Sequence, residues 1–269
     1  MQPIDQVLHQ LLLGTPMSRL HVFSCGHIIP PTHLTGVALS AGPTNQELDF
    51  TFQKRNLPKT MDEVGRILIN LVRIVPAGVV CFFPSYSYEE QIISHWAGNG
   101  QLVAMKEKKT IFREPKSAAE VDAVLTSYAE ECKKSGGLLF SVVGGKMSEG
   151  INFSDDLARC VVMVGLPYPN PSDLELVEQF KYMEKSGAKI TSHEFYSNMC
   201  MKAVNQSIGR SIRHQTDYAS IVLLDRRYNT QIIRSRLPQW INERTVHYPT
   251  FGPTLPHLVQ FFKAHKAKE

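Results

Sequence analysis

Two arginines three residues apart, Arg210 and Arg213, are the residues of this sequence best suited to chemistry on a phosphate. They lie in the stretch Val204–His214, which reads VNQSIGRSIRH. If this stretch is helical, both guanidinium groups project from one face, with the Gln206 amide beside them and Gly209 keeping the neighbouring surface low. A guanidinium is a permanently charged fork of donors that matches phosphate oxygens. The pattern favours a site for the terminal phosphates of a nucleotide, and a solvated basic helix face is the alternative.

A second candidate is the glycine-rich stretch Gly144–Asp155, GGKMSEGINFSD, which follows an apolar run. Its glycines let the backbone approach a ligand, and its polar side chains suit the phosphates of a nucleotide or a nucleic-acid strand. The candidate residues here are Gly145, Lys146, Ser148, Glu149, Gly150 and Asn152. The Walker A pattern, GxxxxGK followed by Ser or Thr, does not occur in the sequence, so this is not a P-loop. An ordinary glycine-rich turn is an equal alternative.

Two shorter polar stretches also follow apolar runs. Ser85 and Tyr86 offer a hydroxyl and an aromatic ring, which suit contact with a sugar–phosphate backbone or stacking on a base. A plain helix cap by Ser85 is at least as good an interpretation. Asp225 and Arg227 follow the last apolar run, either as a structural ion pair or as a pair that orients the arginines of the first stretch.

The elements that position these residues alternate between apolar strands and helices. The runs typical of strands buried on both faces are Val79–Phe83, Leu138–Val143, Arg159–Val164 and Ala219–Leu224. Helical patterns are predicted after a capping box of Thr60 and Glu63, and in segments 86–96, 118–132, 173–185, 194–214 and 255–266. Residues 34–52 predict two short strand-like runs. The alternation predicts an α/β fold with a parallel sheet and helices on both faces, whose ligands bind beyond the carboxyl ends of the strands.

Composition sets broad limits on the function. The 269 residues carry a formal net charge of +4 and are 43% hydrophobic, which permits a large core and a polyanionic partner without requiring the latter. The five cysteines are scattered without a CxxC pair, so we predict neither a disulfide framework nor a metal site. No apolar run approaches the roughly 20 residues of a membrane helix. We expect a soluble, intracellular protein.

Four stretches occur in a fixed order along the chain, namely Phe23–Pro31, Val79–Ser85, Val142–Asp155 and Gln206–Arg213. They resemble the junction segment and motifs IV, V and VI of the XPD-like iron–sulfur group of superfamily 2 DNA helicases. Within this group, CFFPSY, GGKMSEGINFSD, NMCMKAVNQSIGR and LLDRRY are most similar to the Chl-type helicases of sister-chromatid cohesion. The resemblance extends over about residues 1–251, and a VI-type motif with EGINF upstream is highly specific.

The resemblance implies a RecA-like second motor domain over residues 21–254. Residues 1–20 would then be a remnant of the motif III junction between motor domains, and residues 255–269 a C-terminal helix and tail. The family's first motor domain carries a Walker A loop, a DEAH-type box and four cluster cysteines, and none of these is found in this sequence. We therefore expect the C-terminal half of a helicase, which hydrolyses no ATP alone and binds no iron–sulfur cluster itself.

The resemblance also implies roles for individual residues. Arg210 and Arg213 match arginine-finger candidates, and Gln206 also reaches the ATP that is bound with Mg²⁺ on the first motor domain. The other residues expected near the nucleotide or its coupling to DNA are Gly145, Glu149, Gly150, Asn152, Gly209, Asp225 and Arg227. Many relatives carry Asp at the position of Asn152, which argues against a charge-dependent role there. The residues expected near the DNA strand are Ser85, Tyr86, Lys146 and Ser148.

The expected function is the C-terminal motor domain of an ATP-dependent 5′-to-3′ DNA helicase. Its expected partners are ATP and single-stranded or forked DNA, with cohesion or replication proteins as further candidates, and we expect a monomer in the nucleus. One alternative is a catalytically inactive fragment that binds nucleic acid or a protein. A Rossmann-type metabolic enzyme is a weaker alternative, because no GxGxxG opens a helix after a first strand.

Overall fold

The computed structural model of the chain describes Arg19, His21 and residues 28–147, 151–185 and 191–266. The expected junction remnant, residues 1–20, lies almost entirely outside these residues. Three of the candidate site residues, Ser148, Glu149 and Gly150, also lie outside them. Within the described part, no helix is both long and apolar enough to span a bilayer.

The described residues form a seven-stranded sheet with the strand order β3-β4-β2-β5-β6-β1-β7. The strands are β1 Leu34–Leu39, β2 Val79–Phe83, β3 Thr110–Arg113, β4 Gly137–Val142, β5 Cys160–Val164, β6 Ala219–Leu224 and β7 Thr245–Tyr248. Every pairing between neighbouring strands is parallel, so the predicted parallel α/β fold is confirmed.

Helices cover both faces of the sheet, as the apolar strand runs predicted. The helices are α1 Pro58–Ile74, α2 Tyr86–Gly98, α3 Gln101–Lys106, α4 Val121–Cys132, α5 Leu174–Lys185, α6 Ser192–Ile208, α7 Gln231–Arg234, α8 Gln239–Asn242 and α9 Thr254–Lys266. Alternate residues of β2 point to opposite faces. Val79, Cys81 and Phe83 pack in the core beneath α1, α2 and α9, whereas Val80 and Phe82 pack in the core beneath α4 and α6.

The capping box predicted at Thr60 and Glu63 is wrong. Helix α1 begins at Pro58, and its N-cap residue Leu57 makes no side-chain cap. Proline at the first helical position lacks the N–H that would otherwise be unsatisfied, so it can start a helix without a polar cap. The buried Glu63 carboxylate instead accepts hydrogen bonds from the Thr44 hydroxyl at 2.6 Å and the Thr44 N–H at 3.0 Å.

Two further regions complete the comparison with the sequence pattern. Of the two strand-like runs in residues 34–52, the first is β1, whereas the second contributes only the isolated bridge between Ala41 and Glu47. The C-terminal helix α9 buries Leu258 and Phe262 in the same core as α1. The division of the chain at residues 20 and 254 stays a prediction.

Candidate functional site

Several candidate residues lie on segments that leave the carboxyl ends of neighbouring strands, whereas Gln206, Gly209, Arg210 and Arg213 lie in the last part of helix α6 and the segment that leads to the amino end of β6. Strand β2 leads into Ser85 and Tyr86, strand β4 leads into Gly145 and Lys146, and strand β6 leads into Asp225. Because β2 and β6 flank β5, and β4 lies beside β2, these segments meet along one edge of the sheet. This is the edge at which open parallel sheets bind their ligands.

The shared helix face predicted for Gln206, Arg210 and Arg213 is wrong. Helix α6 ends at Ile208 with Gly209 as its C-cap, so only Gln206 lies on the helix. Glycine favours helix termination, and the Ser207 and Ser211 hydroxyls donate to backbone carbonyl oxygens at 3.0 and 2.8 Å. Such side-chain bonds compete with continued helix. Arg210 therefore lies in a turn and Arg213 in an irregular segment.

The two arginines have different environments. The Arg210 side chain is half-buried, and its guanidinium donates to the carbonyl oxygen of Ile151 at 3.2 Å. This bond joins the arginine stretch to the end of the glycine-rich stretch. The Arg213 side chain is exposed, and its backbone N–H donates to Asp217 at 3.4 Å. Arg213 can thus reach outward to a ligand, whereas Arg210 also braces the loop beside it.

Asp217 is a functional candidate that sequence reasoning missed. Its carboxylate is 1% exposed and accepts hydrogen bonds from the Arg159 guanidinium at 3.0 Å and the Asp155 N–H at 3.3 Å, in addition to the Arg213 N–H. Arg159 itself stacks 4.0 Å from the Tyr218 ring centroid. One buried carboxylate therefore fixes the segments of Asp155 and Arg213, which are far apart in sequence.

Glu114 is a second residue that the sequence did not reveal. It follows the edge strand β3, and its buried carboxylate accepts hydrogen bonds from the Ser141 hydroxyl at 2.6 Å, the Val142 N–H at 3.0 Å and the Met147 N–H at 3.3 Å. A Cβ atom on Gly145 would lie 2.2 Å from Glu114 Oε1. Glycine at this position therefore allows the loop to close over the carboxylate.

Ser85 and Tyr86, the residues that resemble motif IV, form hydrogen bonds within the protein. The Tyr86 hydroxyl donates to Glu114 at 2.5 Å, and burial together with this carboxylate raises the pKa of Tyr86 to about 12. Ser85 is the N-cap of α2 and accepts from the Tyr88 N–H at 3.2 Å, so the cap interpretation is confirmed. Lys146 is exposed, and its ammonium donates to the carbonyl oxygen of Lys116.

The Asp225 and Arg227 pair is a local structure at the end of β6. Asp225 is buried, and the hydrogen bonds described for its carboxylate all come from Arg227, the shortest at 2.7 Å. The Arg227 guanidinium lies 5.6 Å from the Tyr168 ring centroid. The ion-pair interpretation is therefore favoured over one in which the pair orients Arg210 and Arg213. Asn152 is exposed on the neighbouring loop.

The structure also brings His214 to within 3.0 Å of the Asp155 carboxylate, with Asp217 nearby. These residues are too far apart in sequence for a local pattern to reveal the group. Because Asp217 is occupied by Arg159 and two backbone N–H groups, we assign the group to hydrogen bonding rather than to metal binding.

Residues 68–244 match the family model of the helicase C-terminal domain. The chain belongs to this family. The resemblance read from the motifs is therefore confirmed at the level of the domain.

The helicase domain is also similar to known proteins along its whole length. It is 50% identical over 282 residues to the ATP-dependent DNA helicase DDX11 of Danio rerio, a match that covers 100% of this chain and 32% of the relative. It is 46% identical over 255 residues to the ATP-dependent DNA helicase CHL1 of Candida albicans, a match that covers 91% of this chain and 30% of the relative. The chain thus spans about a third of the length of these curated relatives.

Solved structures support the fold of the helicase domain. An XPD helicase matches with a TM-score of 0.56 and 22% identity, covering 80% of this chain and 36% of its own. Xpd4 of S. tokodaii matches with a TM-score of 0.58 and 19% identity, and the match covers 92% of this chain and 48% of Xpd4. S. cerevisiae Dbp5 bound to RNA and ADP BeF3 matches with a TM-score of 0.53 and 10% identity, and the match covers 97% of this chain and 52% of the Dbp5 chain. The predicted RecA-like fold is thereby confirmed.

A buried carboxylate in the helicase domain gives a testable pH dependence. The Asp49 carboxylate accepts hydrogen bonds from the Thr51 N–H and the Lys54 ammonium and forms an ion pair with the Arg226 guanidinium, each at 3.0 Å. Burial alone would raise the pKa of Asp49, but these donors and cations outweigh burial and hold the pKa well below its usual value. Folding therefore favours the charged carboxylate, and this stabilisation is present above the unfolded pKa and is lost as the pH falls through the folded pKa.

We expect Asp49→Asn to lower the free energy of unfolding at neutral pH by about 1–3 kcal/mol, because it weakens charged hydrogen bonds to a buried group. The difference from wild type should shrink as the pH falls below about 4. Denaturant titrations at several pH values measure this. Glu47→Gln is the matched control, since the Glu47 side chain is 50% exposed and lies 3.5 Å from Arg226. A pH-independent loss for Asp49→Asn would contradict the assignment.

Proposed function

We propose that this chain is the second motor domain of an ATP-dependent DNA helicase that moves 5′ to 3′ along single-stranded DNA. The observation that supports this most directly is the exposed side chain of Arg213, whose backbone N–H donates to the buried Asp217 carboxylate, within a helicase C-terminal domain. The two relatives described above are named ATP-dependent DNA helicases. This chain spans about a third of the length of those relatives. The helicase activity is therefore proposed for an enzyme that also contains a first motor domain.

Arg210, Arg213 and Gln206 are proposed to act on the nucleotide. Gln206 and Arg213 are exposed and Arg210 is half-buried, so the set offers donors and positive charge to phosphate oxygens. ATP with Mg²⁺, held mainly by a first motor domain, would supply the phosphoryl group that is transferred to water. Arg213 would neutralise the charge that develops on the phosphate oxygens during the transfer, and Arg210 would hold Ile151 in place through its hydrogen bond.

The loop that follows β4 is proposed to link the nucleotide to DNA. Its beginning, at Gly145, lies against Glu114 and the Tyr86 hydroxyl on the proposed DNA side. Its end, at Ile151 and Asn152, lies beside Arg210. A movement of Arg210 on binding ATP would therefore act directly on Ile151, at the end of this stretch.

Further properties of the whole enzyme are proposed from the family resemblance. We infer single-stranded or forked DNA as the substrate, a monomeric state, a nuclear location, and cohesion or replication proteins as partners. The four described cysteines are all buried and lie singly in separate elements, so they do not fit an iron–sulfur cluster. The cluster of this family is assigned to the other half of the enzyme.

The decisive measurement is ATP hydrolysis by the 269-residue chain in the presence of single-stranded DNA. We expect no turnover by the chain alone, because it lacks a Walker A loop, and DNA-stimulated turnover after mixing with the first motor domain of a related helicase. Turnover by the chain alone would contradict the proposal. Salt-sensitive DNA binding without turnover in the mixture would favour the inactive binding fragment instead.

A further inference from the structure

A loop between β1 and α1 crosses the carboxyl ends of three neighbouring strands. At its middle, Asp49 is held by Arg226, which follows β6. The next residue, Phe50, packs against Gly165 at the end of β5, where a Cβ atom would lie 2.9 Å from Phe50 Cβ. Further along, the carbonyl oxygen of Arg55 accepts the Tyr88 hydroxyl at 3.1 Å in the first turns of α2. We call residues 51–57 the Phe52 loop.

The Phe52 loop presents an aromatic ring to solvent. Phe52 is 81% exposed, although its neighbours Leu48 and Phe50 are buried in the core. Leaving a phenyl ring in water forfeits the stabilisation that burial would provide. Two exposed basic residues, Lys54 and Lys59, follow the ring in sequence, and the Lys54 ammonium is paired with Asp49 at 3.0 Å.

Arg55 connects the ring to the rest of the edge. Its guanidinium carbon lies 5.2 Å from the Phe52 ring centroid and 5.7 Å from the Tyr88 ring centroid. Among the described residues its Nε is buried without a hydrogen-bond partner, and no ion pair of its guanidinium is described. Aromatic contacts therefore hold the charge in place, and the terminal N–H groups of this half-buried side chain, rather than Nε, are the donors for a phosphate.

We propose that Phe52 stacks on a base of single-stranded DNA while Arg55 contacts the adjacent phosphate. An exposed ring beside a fixed cation is the combination that single-strand-binding grooves use, because each base offers a face and each nucleotide a charge. A duplex offers no free base face to a ring at its side, which favours a single strand. This inference rests on the proposed function, since it places a further contact on the DNA track.

The test is the affinity of the 269-residue chain for a fluorescent oligothymidylate and for an abasic oligomer of equal length, measured by anisotropy. Wild type should prefer the oligothymidylate, and Phe52→Ala should weaken that binding about tenfold while leaving abasic binding unchanged. Phe52→Trp should retain the preference. Tyr182→Ala is the matched control, because Tyr182 is also an exposed aromatic residue, 71% exposed on α5.

The outcomes separate this inference from the proposed function. If wild type binds neither oligomer, the DNA contact of the proposed function fails together with this inference. If wild type binds both oligomers and Phe52→Ala leaves their affinity ratio unchanged, the stacking role alone is overturned. Thermal melting checks that the variants fold. Arg55→Gln should weaken the binding of both oligomers and reduce its salt dependence by about one phosphate contact, which a protein-docking role for the loop would not predict.

Discussion

Replacing Arg213 by alanine in a helicase that contains both motor domains is expected to slow ATP turnover by about 10³-fold or more, with little change in nucleotide affinity. The physical reason is that an arginine finger acts on charge that develops in the transition state rather than on the bound nucleotide. The exposed Arg213 side chain makes few local contacts whose loss could disturb the fold. Steady-state turnover and equilibrium binding of a nucleotide analogue measure the two effects separately.

Arg210→Ala is expected to slow turnover to a similar extent, but it also removes the bond to the Ile151 carbonyl oxygen. Its unfolding midpoint should therefore fall, whereas that of Arg213→Ala should stay close to wild type. Arg73→Ala, an exposed arginine in the last turn of α1, is the control and should leave turnover unchanged. Near-normal hydrolysis by both Arg210→Ala and Arg213→Ala would refute the assignment of this stretch.

The central strands of the sheet were predictable because their surroundings are uniform. A strand covered by helices on both faces has no polar side, so β2 and β5 read as unbroken apolar runs and β6 is interrupted only by Ser220. The edge strands β3 and β7 were not predicted. Each has four residues with partly exposed side chains, and a short, half-polar run cannot be distinguished from a loop by its pattern.

Apart from the arginine stretch, which was selected from residue type and spacing, the candidate site was predictable only where its residues follow apolar runs. Ser85, Gly145 and Asp225 were selected for that reason. Glu114 and Asp217 were missed, because a buried acceptor is defined by donors that lie elsewhere in the chain. Asp217 accepts from residues 58 and 62 positions away, and no local pattern records such contacts. The helix end at Ile208 was missed for the opposite reason, since the periodic pattern continued past a local terminator.

Asp217→Ala is the substitution expected to destabilise the domain most, by about 3–5 kcal/mol. Its partner Arg159 has a side chain that is only 8% exposed, so removing the carboxylate leaves the Arg159 charge buried beside Tyr218. It also leaves two backbone N–H groups without their acceptor. A carboxylate that serves three donors costs more to remove than an exposed ion pair, which contributes about 0–1 kcal/mol. Chemical denaturation of the wild-type and variant chains measures the difference.

Asp156→Ala is the matched control, because its 51% exposed carboxylate also lies 3.0 Å from Arg159, and it should cost less than about 1 kcal/mol. Replacing both Arg159 and Asp217 by apolar residues should recover part of the stability lost in Asp217→Ala, since the buried charge then disappears with its partner. Equal losses for Asp156→Ala and Asp217→Ala would contradict this account.

Asp217→Asn keeps one acceptor oxygen, so it allows the fold to persist while the placement of Arg213 is loosened. A lower turnover for a folded Asp217→Asn enzyme would therefore separate the positioning of Arg213 from the stability of the domain.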